Sequence, residues 1–192
     1  MKMPADPQYK QMTTFLVDLG TDDVPHTGGA FLAHLVSVYR DLEAWDAETP
    51  VCRAGLFHSI YGTELFQKFA FPEERREEVQ ELIGERAEFV AWVNCVMDRD
   101  SFCEQIERTA PYEITNRLTG DPIALDEQQF TDLCTVHLCD WLEQLPRLKK
   151  WDYRRESFEQ LADRLGGVAR ESFDAVYAEE APLTTRQDLA KE

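Results

Sequence analysis

Four histidines are the residues best suited to chemistry in this 192-residue chain, and they are few enough to be read one by one. His26 and His34 lie in HTGGAFLAH, His58 in LFHSIYG, and His137 in TVHLCDWLEQL beside Asp140. Imidazole and carboxylate are the common ligands of zinc, manganese and iron, and helical folds build such sites from side chains pointing inward from different helices. The chemistry implied is metal-assisted: a bound divalent ion lowers the pKa of its water toward about 7 and polarises a substrate oxygen.

The spacing makes convergence possible. His34 is one helical turn from Phe31 and Val38, beside an apolar stripe. His58 shares a face with Val51 and Ala54, and Gly55, one turn earlier, would let a neighbouring helix come close. Leu133, His137, Asp140, Trp141 and Gln144 follow one another along one side of a third helix. Each residue also has a structural reading. His34 and His58 are equally well read as buried histidines bonded to backbone, and Asp140 as a solvent-facing carboxylate. The structural reading is favoured for His137 and His26; the first also suits an outer partner of a ligand, the second a glycine-backed loop, Thr27-Gly28-Gly29, approaching a ligand.

The elements that must position these residues are helical. Apolar periodicity predicts helices over about 7–19, from Gly28 to Trp45, and from a Thr49-Pro50 start to about Tyr61, where Gly62 ends the run. Pro72 opens a charged segment, PEERREEVQELIGER, read as a solvated face as far as Glu88. An apolar helix follows to Met97, and Ser101 is expected to cap a short one. Around residues 112–125, β-branched residues flank Thr-Gly-Asp-Pro, the pattern of a short hairpin. Asp126 then caps a long helix expected to stop at Pro146, and further helices fill 156–179 before a polar tail at about 181–192. The fold class expected is all-α, one domain over residues 1–192 with a single short hairpin.

Composition narrows the partners. With 20 basic and 37 acidic residues the net charge is −17, which repels phosphate backbones and anionic lipid, so nucleic acid and membranes are excluded and a small-molecule ligand is expected. The five cysteines, Cys52, Cys95, Cys103, Cys134 and Cys139, include no CxxC pair and read as reduced packing residues. With no leader-like N-terminus or long apolar run, a cytoplasmic location is expected. The oligomeric state is not legible.

The segments TGGAFLAHLVSV, AGLFHSIYGTE and VHLCDWLEQLPRL, over roughly residues 24–148, together resemble the HD superfamily of metal phosphohydrolases, especially its guanosine tetraphosphate hydrolase branch. The resemblance implies an HD-like helical bundle with His34, His58 and Asp140 as ligands of one divalent transition metal, Mn, Zn or Fe. It also implies hydrolysis of a small phosphorylated or nucleotide-like compound. Glu64, on the turn after His58, would be the general base, with Tyr61, Thr63 and Arg117 as ligand-binding candidates beside His26 and His137. The chain departs from the pattern at Ser59, where the family places an aspartate next to the second histidine. That departure keeps two alternatives open: an inactive HD-like module that binds a small molecule or protein, and an HD-type iron-dependent oxygenase. The HTGG and FHSxYGTE phrases also resemble a bacterial group that carries no implied activity.

Overall fold

The computed structural model describes residues 6–26 and 29–180. The Thr27-Gly28 part of the expected loop and the tail at 181–192 fall outside them. The fold is all-α, with nine helices among the described residues and two small antiparallel hairpins.

Helix α1 spans Tyr9–Asp18, α2 Phe31–Ala44 and α3 Thr49–Phe57. A two-residue hairpin, β1 Pro25–His26 with β2 Gly29–Ala30, occupies the start expected for α2 and delivers His26 beside that helix. Helix α3 stops at Phe57, short of the expected Tyr61, and His58 to Tyr61 form a turn that ends at Gly62, with φ +81°. The positive φ at Gly62 is cheap only for glycine, which is why the chain reverses there.

A 3-10 turn at Glu73–Arg75 leads into α4 Arg76–Ile83, followed by α5 Glu85–Val96 and the short α6 Arg99–Cys103. The cap of α6 is Asp98, whose carboxylate accepts from the backbone N–H of Ser101; the Ser101 hydroxyl instead accepts from Thr115. The expected hairpin is present as β3 Tyr112–Thr115 paired with β4 Pro122–Leu125, in the register Tyr112 to Leu125. Asp126 and Gln129 form a reciprocal capping box at the start of α7 Glu127–Leu148. Pro146 does not end α7 but sits in its last turn, and the helix ends at Lys149 in a left-handed conformation. Helices α8 Arg155–Leu165 and α9 Gly167–Tyr177 complete the fold.

Helix α7 is the axis: it packs on α2, α3, α5, α8 and α9 and buries Phe130, Leu133, Val136, Leu138, Trp141 and Leu145. Helices α2 and α3 pack together at Gly55. A Cβ added to Gly55 would lie 2.2 Å from the Leu42 side chain and 3.3 Å from that of Val38, so any larger residue would force these side chains to shift. The expected solvated face is partly wrong, because Glu88 is fully buried. The cysteines are all free, and burial pushes the Cys52 and Cys95 thiols up to about 12, which leaves them inert. No helix among the described residues is long and apolar enough to cross a membrane.

Candidate metal centre

Three helical segments bring His34, His58 and Asp140 to one point. His34 comes from the buried face of α2, His58 from the first position after α3, and Asp140 from the middle of α7. The Nε2 atoms of the two histidines are 3.2 Å apart, and Asp140 Oδ1 is 3.1 Å from each. Ligands held about 2.0–2.1 Å from a tetrahedral ion are themselves separated by about 3.3 Å, so this near-equilateral triangle has the size of one face of a coordination shell. Among the described residues these three form a group that can hold a metal ion.

The surrounding hydrogen bonds decide where the imidazole protons sit. His58 Nδ1 is 2.7 Å from the carbonyl of Gly55, which only accepts, so Nδ1 carries the proton and Nε2 of the neutral ring is bare. His34 Nδ1 is 2.7 Å from Glu143 Oε2. Burial works to raise the Glu143 pKa, but His34 and Arg147 outweigh it and hold that carboxylate below its ordinary value, so it too accepts. Both neutral rings therefore aim lone pairs at each other and at a carboxylate oxygen, an arrangement that repels itself unless a cation or extra protons fill the centre. In the metal-free protein protons do so. Burial opposes charge on His34, yet Asp140 and Glu143 override it and raise its pKa to about 9, while the two histidines hold Asp140 well below the carboxylate range against its burial.

An outer layer fixes the triangle. Gln144 donates to Asp140 Oδ1 at 2.7 Å and accepts from His26 Nε2 at 3.2 Å, so His26 supports a ligand and is not one of the three. Burial, then the charge on His34, lowers the His26 pKa to about 4. His137 is likewise an outer residue: Arg99 donates to its Nε2 at 3.2 Å, its Nδ1–H donates to Asn94 at 3.3 Å, and Asn94 donates to the His58 carbonyl at 2.9 Å. This relay keeps His137 neutral; burial first and Arg99 second hold its pKa well below the ordinary value.

A cleft of about 320 Å³ opens onto Asp140, lined among others by His26, Ser59, Thr63, Arg99, His137 and Trp141. Ser59 thus faces the site, while Thr63 spends its hydroxyl on the backbone N–H of Phe66. Three expected residues lie elsewhere. Tyr61 turns away and donates to Glu88 at 2.9 Å, because the turn after α3 carries it toward α5. Arg117 donates to the carbonyls of Cys95 and Gly62 and ties two backbone segments together, leaving no role in the cleft lining. Glu64 is not in the metal group; its carboxylate stands 3.4 Å from Arg99 Nε. The residues that sequence reasoning missed are Glu143, Asn94 and Arg99, along with Lys68 and Lys150 on the cleft wall. Only Glu143 had a signal, one turn after the Asp140 position on a helix already suspected.

A family model described as a domain of unknown function, DUF6817, matches residues 15–99. The match holds the end of α1 and all of α2 to α5, hence His34 and His58, and stops before Asp140. No curated protein and no solved structure matches the chain. The third member of the triangle, Asp140, therefore lies outside the region that the family model covers.

Proposed function

We propose that this chain is an HD-like metal-dependent hydrolase of a small phosphorylated or nucleotide-like compound. The observation that carries the reading is the pair of imidazoles whose Nδ1 protons are both committed outward, to Gly55 and Glu143, leaving two Nε2 lone pairs and Asp140 around one point. In this reading His34, His58 and Asp140 hold one divalent transition metal, and Glu143, the Gly55 carbonyl and Gln144 orient them. A divalent ion so held would activate water near neutral pH and act as a Lewis acid toward a phosphoryl oxygen. Two histidines and one carboxylate leave coordination positions open for water and substrate. The cleft beside Asp140 admits the substrate, and its cationic residues Lys68, Arg99 and Lys150 offset the acidic surface of the chain. Glu64 accepts the water proton in this scheme only by leaving Arg99.

Elemental analysis of the purified protein is expected to give about one equivalent of Mn, Zn or Fe, falling to background in His34→Ala and His58→Ala, with phosphomonoester hydrolysis lost in parallel. Unchanged metal content in both variants would sink the reading. Ser59, which lines the cleft where the HD pattern has aspartate, supports a second reading as an inactive binding module. Metal without turnover of any phosphate ester selects that module. Bound iron with an oxygen-dependent optical change selects an oxygenase instead.

A further inference from the structure

We infer that Arg99 is the anchor of an oxyanion site in the cleft, with Glu64 as a resident counter-ion that a bound ligand displaces. Arg99 is only 6% exposed, and its buried Nε makes no hydrogen bond. Glu64 stands 3.4 Å from that Nε in an ion pair whose geometry falls short of a hydrogen bond. A buried guanidinium with an unmet N–H is costly, and the planar fork of donors matches a phosphate or carboxylate group in shape and charge.

The rest of the cleft fits the same ligand. On one side Nη1 of Arg99 is held by His137, whose neutral ring adds no charge of its own, so the arginine stays aimed and uncompensated there. Asp140 also lines the cleft, but its Oδ1 is occupied by His34, His58 and Gln144. Exposed Lys68 and Lys150 add positive charge at the wall, an unusual concentration in a chain of net charge −17. Trp141 and Phe158, stacked at 4.8 Å, with Tyr153 5.2 Å from Trp141, form an aromatic wall for a flat apolar body. The ligand class is therefore a small oxyanion, phosphate or carboxylate, on an aromatic or similarly flat group. The Glu64 side chain is 40% exposed, and among the described residues its ion pair is with Arg99, so its displacement into water is open.

The inference does not require a metal; only its use as the substrate class of the hydrolase rests on that earlier reading. Calorimetric titration of the full-length protein, as purified and again with EDTA, against phenyl phosphate and against benzoate tests it. Saturable binding of at least one probe is expected, unaffected by EDTA, weakened at least about tenfold in Arg99→Gln and tightened severalfold in Glu64→Gln. The tighter of the two probes names the anion. Absence of saturation with both probes, or loss of binding with EDTA, overturns the site. Should Arg99→Gln fail to fold by thermal melting, Glu64→Gln decides alone, and unchanged affinity there overturns the proposal. Metal content in these variants stays that of the parent if only the anion site is touched, which separates failure here from failure of the metal reading.

Discussion

Two buried charge clusters, one around Glu88 and one around Asp140, differ in how their protons are accounted for. Glu88 is fully buried, and each carboxylate oxygen meets donors: Arg76 and Tyr61 at Oε1, Arg76 and Gln80 at Oε2, all at 2.6–2.9 Å. That cluster is complete, and its chemistry is structural. The cluster of His34, His58 and Asp140 is equally buried, but with both rings neutral two ring nitrogens and an oxygen would meet with no proton between them, and an extra proton on His34 or a cation has to fill the centre. Burial and charge are common to both, so neither marks function. The direction of each hydrogen bond separates them, because a centre made only of acceptors must take up either a proton or a cation.

The comparison breaks most visibly at Glu88. Arg76→Ala strands a buried carboxylate and removes a cation resting 4.1 Å from the Trp92 ring, and is expected to cost about 3–5 kcal/mol in urea unfolding, with metal content unchanged. A metal loss in that variant would mean the two clusters are coupled. Glu143→Gln keeps the size of the side chain but weakens its hold on the His34 Nδ1 proton. Metal affinity should fall about 10–100-fold by competition with a chelating dye, while stability of the metal-free protein changes less.

The smallest effect is a slope. His34 must lose its extra proton for a metal to bind, so affinity should rise with pH by up to about tenfold per unit until near pH 9 and then flatten. The sign reverses without metal. A pKa raised from 6.5 to about 9 stabilises the metal-free fold below pH 6.5, and that contribution is lost as pH climbs through 9. Thermal melts with and without EDTA across that range would show opposite trends; parallel curves would deny that one site takes either protons or metal.

Much of this was legible in the chain itself. Helical periodicity located α1, α2, α7 and the hairpin at 112–125, because burying one face of a helix or strand dictates the spacing of its apolar residues. It also placed His34 and His58 on inward faces, and Gly55 where two helices had to meet. The charged run misled at Glu88, since alternating charges look solvated whether or not a single member turns inward to meet Tyr61. Tyr61 and Arg117 misled for a related reason: their neighbours in sequence lie near the cleft, but the reversal at Gly62 and the backbone carbonyls they serve are set by distant segments.

Local spacing thus determined the helices and which residue types faced inward, because periodicity is a property of a single segment. The tertiary structure alone decided which lone pairs meet, that Glu143 and Gly55 take the imidazole protons, and that Arg99 reaches the cleft from α6. The His58 bond to Gly55 is local, but His34 and Glu143 are 109 positions apart, and contacts of such range depend on how the helices cross, which one-dimensional spacing does not encode.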